Sequence, residues 1–560
     1  MRWPTHEVSN QPPPLAGVNL FDADAALVAG VLREGANTGL SELRTLGSWA
    51  GSDEARALAD RANRHPPELH THDPQGQRID RVEFDPAWHA LLAKLRASGV
   101  QGRAWQTAQR GAHVARTAAF YLHGQTEAGS LCPVTMTFAA IPVLKNEPWF
   151  ATLADKLYSE THDCRDLPIA EKSSILIGMG LTEKQGGSDL RSTQTDATPV
   201  TTGGRGADYR LNGHKWFFSA PMCDAHLVLA RTAEGPSAFF VPRWQPDGSK
   251  NAVLIQRLKD KLGNRSNASS EVEFFDAQGT MIGEPGRGIA TLVEMANITR
   301  LDCAIASAAL MRQALCQSFH YCMHRVAFGK PLAQQPLMMN VLADLALESE
   351  AALLLVLRLA RAFDEGDKPL LRLLTPAAKF WICKRAIEFC GECMEILGGS
   401  GYVEEGPLAW LYREAPVNSI WEGSGNVMCL DVLRAAHQAG DTLAPLLSSL
   451  SDAAAKDPRL NGLLNALNSG LAAPPDQQQR QARSITQALV LLVQAELMME
   501  HAPSPVADTF IASRCDAGHG RVYGTLNGTL NGTLTGAMNG TLPALDAEAI
   551  IRRAWPVQTR

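Results

Sequence analysis

The sequence lacks any apolar run close to the roughly 20 residues that a membrane-spanning helix needs. Its longest candidate, ALVLLVQAELMM from Ala488, is too short and contains Glu496. The first residues, MRWPTHEVSNQPPPL, are polar and proline-rich, and they contain no apolar stretch of the kind that signal peptides have. We therefore expect a cytoplasmic protein that does not enter a membrane.

An excess of positive charge is also absent. The chain has 52 Lys+Arg against 58 Asp+Glu, which gives a formal net charge of -6, so the chain as a whole does not carry the basic footprint of nucleic-acid-binding proteins. Its 11 cysteines include a single CxxC pair, Cys390 and Cys393. With no second pair at zinc-site spacing, we predict core packing for both sulfurs. We predict a surface loop for His70 and His72, and no metal site.

A chain of 560 residues with 45% hydrophobic residues is long enough for several cores. Helical periodicity dominates up to about residue 174, β-rich segments such as HLVLART, SAFFVPR and SSEVEFFDA follow, and helical periodicity returns at residue 289. We predict an α+β fold with five parts: a helical domain (1–175), a β-barrel-like domain (176–285), a helical bundle (286–440), a further helical domain (441–523) and a low-complexity tail (524–560).

Four local predictions concern turns, loops and linkers. The polar text HPPELHTHDPQGQRID, residues 65–80, is typical of a loop. Asn212-Gly213 is a strong signal for a hairpin turn. In the C-terminal part, LAAPPDQQQRQ (471–481) indicates a linker between helices, and the Gly-Thr-Leu-Asn repeat from Gly524 suits tight turns or disorder.

One helix can be predicted in detail. From Ala378 the apolar or small residues recur every three or four positions as far as Leu397, which places them on one helical face. Gly398 and Gly399 follow at once. Because glycine accepts the left-handed conformation that a C-terminal cap needs, we expect the helix to end there.

Four segments contain residues that could carry chemistry. They are GMGLTEKQGGSD (178–189), HKWFFS (214–219), RVAFGKPL (325–332) and LGGSGYVEEGPLAWLYREAPVNSIWEGSGN (397–426). A glycine-rich loop with hydroxyl groups can bring backbone amides close to a cofactor, and an aromatic strand can shield a planar ring from water. Taken alone, the first segment is more often an ordinary turn, and the second is as often an ordinary hydrophobic strand as a cofactor contact.

In order and spacing, these four segments resemble the signatures of the acyl-CoA dehydrogenase flavoproteins. Within that family, NQPPPL from Asn10, GHKWFFSAP from Gly213 and NSIWEGSGNVMCLDVLR from Asn418 resemble the AidB group, which is linked to the bacterial response to DNA alkylation. The family resemblance spans about residues 178 to 430, and the AidB resemblance spans residues 1 to about 440. It implies helical domains before and after a central β-domain.

The resemblance also implies the cofactor and the site residues. Glu422 would be the catalytic base, because the alternative family position, directly before Arg300, is Thr299 here. The residues implied to bind FAD are Thr182, Gly187, Ser188, Trp216, Phe217, Phe218, Ser219, Arg325, Phe328, Gly398, Gly399, Ser424 and Asn426. Arg325 would reach the cofactor pyrophosphate of a neighbouring subunit in a homotetramer. Two departures from the family pattern are Pro336 and Glu395, where glutamine is usual.

The resemblance implies α,β-dehydrogenation of an acyl-CoA thioester and a role in the DNA alkylation response. A first alternative is a DNA-binding protective flavoprotein with a partly vestigial dehydrogenase site, because the AidB group is associated with binding duplex DNA through a basic C-terminal domain. Here residues 441–560 contain nine Lys/Arg against ten Asp/Glu, which does not favour phosphate contacts. A second alternative is an acyl-CoA oxidase, which the oxygen reactivity of the reduced flavin would distinguish.

Overall fold

The computed structural model describes residues 5–107, 109–515, 523 and 544–555. They form two compact units, each assembled from stretches that are distant in sequence. The first unit comprises Met1–Asp53, His113–Gln125 and Cys303–Arg560, and the second comprises Glu54–Ala112 and Thr126–Asp302. Within the described ranges, no helix is long and apolar enough to cross a membrane.

Helices dominate both ends of the chain, and strands dominate the middle. In chain order the α-helices of the described residues are α1 (Ala25–Arg33), α2 (Leu40–Ala50), α3 (Asp53–Arg64), α4 (Pro86–Ala97), α5 (Arg103–Gln106), α6 (Ala112–Gly124), α7 (Leu131–Leu144), α8 (Ala151–Tyr158), α9 (Gly288–His324), α10 (Pro336–Glu365), α11 (Lys368–Ile396), α12 (Gly399–Tyr402), α13 (Leu408–Asn418), α14 (Gly425–Ala439), α15 (Ala444–Lys456), α16 (Asn461–Ala472), α17 (Pro475–His501), α18 (Ser504–Arg514) and α19 (Ala544–Ala554). The strands are β1 (Glu68–His72), β2 (Arg78–Glu83), β3 (Ile177–Gly180), β4 (Asp196–Pro199), β5 (Asp208–Ser219), β6 (Ala225–Thr232), β7 (Gly235–Pro242), β8 (Val253–Leu258), β9 (Ser269–Ile282), β10 (Val326–Ala327) and β11 (Lys330–Pro331). This order confirms the predicted α+β fold class.

The first unit is a helical bundle in which α10 and α11 are mostly buried. Helix α11 packs against α13 and α14, and it ends at Ile396, directly before the predicted glycine cap. Gly398 has a φ of 58°, a left-handed value that a side chain would make costly, so the predicted stop is confirmed. Cys390 and Cys393 are both fully buried on this helix, as predicted for core packing.

The chain beyond residue 440 continues as helices, which agrees with the prediction. Helix α17 begins at Pro475, inside the segment predicted as a linker, because proline is well suited to the first turn of a helix. The Gly-Thr-Leu-Asn repeat lies outside the described residues. Helix α19 falls within the predicted low-complexity tail, so part of that tail is helical.

Buried ion pairs tie the C-terminal helices to the bundle. Arg514 of α18 donates to Asp344 of α10 at 2.6 Å and to Glu348 of α10 at 3.2 Å, and all three side chains are almost completely buried. In α19, Arg553 pairs with Glu350 of α10 at 2.6 Å. A buried carboxylate without a partner is costly. Helix α10 therefore depends on the C-terminal helices to neutralise its buried acidic residues.

The second unit contains an antiparallel hairpin where the sequence suggested a loop. Strands β1 and β2 pair across residues 68–83, with Leu69 opposite Val82. Asp73 closes the turn by accepting hydrogen bonds from the backbone of Gln75 and Gln77. Leu69 and Val82 pack against the core of the β-domain. The loop prediction was wrong because this tertiary contact outweighs the polar composition of the segment.

The larger sheet of the second unit closes on itself. Strand β6 pairs with β4 and β7, β4 pairs with β5, and β9 joins β5 to β7. These pairings form a closed circuit, with β3 and β8 added at the sides. Aromatic and aliphatic side chains such as Leu211, Phe218 and Phe239 fill its interior. The predicted barrel-like character of this region is therefore present.

Asn212 and Gly213 lie inside strand β5 and form no turn, so the hairpin prediction at this position was wrong. The register of β5 against β9 shifts at this point, as at a β-bulge. Gly213 has a φ of 147°, and a Cβ there would lie 2.6 Å from the Cα of Thr195. The glycine thus serves a close backbone approach, and Asn212 accepts a hydrogen bond from the backbone of Asp276.

We predict that Arg514→Leu lowers the free energy of unfolding by about 3 kcal/mol or more, because it removes the arginine that pairs with the buried Asp344 and one of the two arginines that pair with the buried Glu348. Urea unfolding followed by circular dichroism would measure the change. Arg552→Leu is the control, since that arginine is 80% exposed and pairs with Glu548 of its own helix. Equal, small effects of both substitutions would contradict the prediction.

Candidate functional site

Glu422 occupies a strained turn in the first unit. The turn lies between α13 and α14, and the φ of Glu422 is 57°, a left-handed value that a residue with a long side chain rarely adopts. Gly423 continues the turn with a φ of 103°. Such a conformation costs on the order of 1–3 kcal/mol and persists only where the surroundings impose it. The fold therefore holds the backbone of Glu422, a half-buried residue, in one conformation.

A buried lysine imposes this turn. The Nζ of Lys379, in the middle of α11, donates to the carbonyl oxygen of Gly423 at 2.7 Å, and the lysine is only 1% exposed. On the other side, the Nε1 of Trp421 donates to the Oδ1 of Asn418 at 3.0 Å. A Cβ on Gly425 would lie 2.6 Å from the Cε of Lys384, so a larger residue there would displace the end of that lysine side chain. Sequence patterns did not indicate Lys379, because a lysine within a helix usually lies on its solvent face.

Ion pairing fixes α14 against α11 just beyond the turn. Arg372 of α11 donates two hydrogen bonds of 2.7 Å to the carboxylate of Asp431 in α14. This bidentate geometry sets both the distance and the rotation between the two helices. Ser424 and Asn426, predicted to bind the cofactor, lie exposed at the start of α14, and Arg483 of α17 donates to the Oδ1 of Asn426 at 2.9 Å.

Gly398 and Gly399 are exposed at the end of α11, and a Cβ on either would meet nothing within 4 Å. Their surface is open to a ligand, although their local role is to end the helix. Glu395, where the family usually has glutamine, is exposed one turn earlier. The glycines therefore stay predicted cofactor contacts.

The predicted Arg325 segment forms a short hairpin, in which β10 and β11 pair through Val326–Pro331 and Ala327–Lys330. Phe328 lies at its tip with a φ of 51° and is 98% exposed. The Nε2 of Gln335 donates to the carbonyl oxygen of Ala327 at 3.0 Å. Gln335, which precedes Pro336, thus stabilises the hairpin.

In the second unit, two of the predicted segments lie side by side. The backbone N–H of Trp216 in β5 donates to the carbonyl oxygen of Thr182 at 2.8 Å. A Cβ on Gly187 would lie 2.6 Å from the Oγ1 of Thr182, so the loop can close on the threonine only with glycine there. Ser188 is exposed at the same loop. Thr182, Gly187 and Trp216 are therefore brought together.

Neighbouring residues of β5 have different surroundings. Phe217 is 55% exposed, and Ser219 is half-buried. Phe218, by contrast, is fully buried in the core of the β-domain, with its ring 4.2 Å from that of His226. Its prediction as a cofactor contact is corrected, because the alternation of a strand turns it to the interior. Phe217 and Ser219 offer an aromatic face and a hydroxyl on the accessible side.

Sequence analysis missed the ion pair that joins the two segments. Lys215 and Glu183 are both buried, and the Nζ of the lysine lies 2.6 Å from the Oε1 of the glutamate. Glu183 also accepts hydrogen bonds from the hydroxyls of Thr193 and Thr195. Burial alone would raise the pKa of Glu183, but Lys215 and these donors outweigh burial and hold the pKa well below its ordinary value of 4.5. The pair anchors the glycine-rich loop to β5.

Models of known families match most of the chain. The N-terminal domain of the adaptive response protein AidB matches residues 10–164. The middle domain of acyl-CoA dehydrogenases matches residues 178–277, and their C-terminal domain matches residues 286–437. The matched segments include all four motifs and end near residue 440.

Individual relatives give the same result. The chain is 48% identical to AidB of Escherichia coli K12 over 93% of its own length and 96% of that protein. It is 32% identical to acyl-CoA dehydrogenase family member 11 of Caenorhabditis elegans, over 68% of its own length and 64% of that protein. Among solved structures, C. elegans ACDH-11 in complex with C11-CoA superposes with a TM-score of 0.79 at 27% identity, over 91% of this chain and 92% of that one. The apo form of Bd2924 superposes with a TM-score of 0.80 at 29% identity, over 88% and 100%.

We predict that Glu183→Gln lowers the free energy of unfolding at neutral pH by about 3–5 kcal/mol, because Lys215 is left buried without its counter-charge. The folded pKa of Glu183 lies below the unfolded one, so its stabilising contribution is present above about pH 4.5 and is lost as the pH falls further. As the pH is lowered below about 4.5, the urea concentration at the unfolding midpoint should fall for the wild type and change less for Glu183→Gln. Glu273→Gln, an exposed site on β9, is the control and should behave as the wild type.

Proposed function

The chain belongs to the acyl-CoA dehydrogenase family, within its AidB group, and from that premise we propose that it dehydrogenates an acyl-CoA thioester between Cα and Cβ. The observation that carries the proposal is the strained and anchored turn of Glu422. The residue falls where the family signature has its base. A general base must keep a fixed position relative to the proton that it removes, and the Lys379–Gly423 hydrogen bond supports such a position.

We propose FAD as the cofactor, and the residues of the second unit fit its chemistry. Phe217 offers an exposed aromatic face, Ser219 a hydroxyl, and the Thr182–Gly187 loop backbone amides close to its surface. Bound FAD would supply a hydride acceptor for Cβ. The proposed FAD-binding residues are those predicted from the sequence, except the buried Phe218.

In this proposal Glu422 takes the proton from Cα of the substrate and retains it on its carboxyl group. The half-buried setting of the side chain reduces competition from water for that proton. Thr299 is buried, and its hydroxyl donates to the carbonyl oxygen of Ala296, so the alternative family position offers no base here. The substrate class draws support from the relative that was solved with C11-CoA.

We also propose that the protein is a homotetramer. Phe328 exposes almost its whole ring at the tip of the Arg325 hairpin, in a left-handed conformation that a bulky side chain rarely adopts. Contact with a second copy would bury the ring and bring the guanidinium of Arg325 to the neighbour's cofactor pyrophosphate. Guanidinium groups pair well with phosphate oxygens.

DNA binding is the second candidate function, and the AidB relationship favours it. The ion pairs of the C-terminal helices weigh against it. Arg459, Arg514 and Arg553 are each paired with carboxylates, and Arg552 pairs with Glu548. Cations engaged in this way are less available to phosphate groups. A role in the DNA alkylation response through direct DNA contact therefore has little support from the charges of residues 441–555.

We predict that the purified protein is yellow, with about one FAD per chain, and that Glu422→Gln retains FAD. The amide keeps the shape of the side chain and removes its basicity. Anaerobic flavin reduction by acyl-CoAs of different lengths should therefore slow by at least ~100-fold, the usual scale for loss of a general base. Stopped-flow measurement of flavin absorbance gives the rate.

Glu405→Gln is the matched control, because Glu405 is an exposed glutamate in the same signature segment. It should reduce its flavin at the wild-type rate. Wild-type rates in both variants would show that Glu422 is structural. A folded protein that takes up no added FAD would reject the cofactor assignment itself.

We predict weak duplex-DNA binding without sequence preference, which decreases steeply as salt is added. Deleting the C-terminal helices is a poor test, since they neutralise buried carboxylates of the bundle. The exposed residues Lys456 and Arg480 are better targets. Fluorescence anisotropy in a salt series would compare the wild type with Lys456→Gln/Arg480→Gln. Tight binding at physiological salt that both substitutions abolish would make the DNA role primary.

A further inference from the structure

The Arg325 hairpin, residues 325–331, presents an unusual tip. Phe328 and Gly329 have φ values of 51° and 79°, which is the pattern of a two-residue turn that normally carries asparagine, aspartate or glycine. Phenylalanine at the first of these positions is strained. Because Phe328 is also 98% exposed, the hairpin bears both backbone strain and apolar exposure at one residue.

The hairpin has little pairing of its own. Each strand contributes two residues, and Pro331 has no N–H to donate. Two-stranded ribbons of this size are not stable alone in water. Within the hairpin region, the N–H of Leu332 donates to the carbonyl oxygen of Arg325 at 2.8 Å, and Gln335 donates to that of Ala327. The backbone N–H and C=O groups on the outer edge of β10 therefore need a hydrogen-bond partner from outside the hairpin.

Asn10 is that partner. Its Nδ2 donates to the carbonyl oxygen of Val326 at 2.8 Å, and its Oδ1 accepts from the N–H of Val326, also at 2.8 Å. Both backbone groups of one strand residue are thus satisfied by one side-chain amide, as a neighbouring strand would satisfy them. The guanidinium of Arg325 in turn donates to the carbonyl oxygen of Asn10.

The backbone around Asn10 suits this role. Asn10 has a φ of 55°, a left-handed value that asparagine tolerates better than most residues. Three residues later, the carbonyl oxygen of Pro13 lies 2.7 Å from the Nε2 of His320 on α9. Residues 10–13, the N-terminal arm, are therefore attached at two points, one on the hairpin and one on the helix that precedes it.

We infer that Asn10 is a positioning residue, which holds the Arg325 hairpin in the orientation that presents Arg325 and Phe328 to a second copy of this chain. The inference rests on the proposed function, in which Arg325 completes the neighbour's FAD site. It adds that the N-terminal arm controls cofactor retention and assembly without contacting the cofactor. The arm lies in the segment matched by the AidB N-terminal domain, which begins at residue 10.

The test uses Asn10→Gly in the full-length protein. Glycine accepts the left-handed backbone, so only the two side-chain hydrogen bonds are lost. Hydrogen–deuterium exchange of residues 325–331 should become roughly 10-fold faster or more, the scale expected for two lost hydrogen bonds. FAD absorbance per chain should fall after gel filtration, and light scattering should show dissociation at low concentration. Asn10→Asp keeps the acceptor for the N–H of Val326 and should restore part of both properties.

Two comparisons separate positioning from a general loss of structure. Gln11→Ala alters the exposed neighbour of Asn10 and should match the wild type. Phe328→Asn suits the turn and removes the apolar ring. It should weaken assembly, while its hairpin exchange stays at the wild-type rate at protein concentrations high enough to keep it assembled. Far-UV circular dichroism of all variants should match that of the wild type, since the hairpin is short and lies at the surface.

The outcomes are decisive. The inference is overturned if Asn10→Gly leaves hairpin exchange unchanged, and equally if exchange becomes faster while FAD content and assembly stay at wild-type levels. Faster exchange with loss of both would support it. A wild-type protein that is colourless and monomeric would reject the proposed function, and the exchange comparison would then decide only whether Asn10 holds the hairpin.

Discussion

One buried ammonium group determines the geometry of the candidate base. Lys379 projects from the middle of α11 and holds the carbonyl oxygen of Gly423, so the turn at Glu422 stays left-handed against its own backbone preference. The bidentate Arg372–Asp431 pair fixes α14 to the same helix. Because both anchors lie on α11, the position of Glu422 depends on the packing of this one helix.

In the second unit a buried charged side chain also anchors a loop, but there the central residue is acidic. There a buried glutamate, Glu183, gathers the ammonium of Lys215 and the hydroxyls of two threonines, and so fastens the glycine-rich loop to β5. A buried charge that is fully hydrogen-bonded resists small displacements, since any movement leaves a desolvated group without its partner. In each unit, the residues proposed to contact a ligand thus lie on a turn or loop that a buried charged side chain holds in place.

The sequence predicted the order of helical and β-rich regions and the end of α11, because these follow from periodicity and glycine conformation. Its errors have one common cause. The hairpin at residues 68–83, the bulge at Gly213 and the buried Phe218 each depend on contacts with residues distant in the chain. Lys379 and Glu183 were missed for the same reason: a charged residue is assigned to the surface unless its partner is known.

Backbone strain links these observations. Among the described residues, seven besides glycine have a positive φ: Asn10, Asp80, Ala220, Asn264, Asp276, Phe328 and Glu422. Four of them are asparagine or aspartate, which tolerate the left-handed region. The three that do not are Ala220, directly after the 214–219 segment, Phe328 and Glu422. Backbone strain persists only where the surrounding structure imposes it. Its occurrence in or beside three of the four motifs indicates that packing interactions offset a conformational cost at these positions. A ligand or a second subunit would contact the protein there.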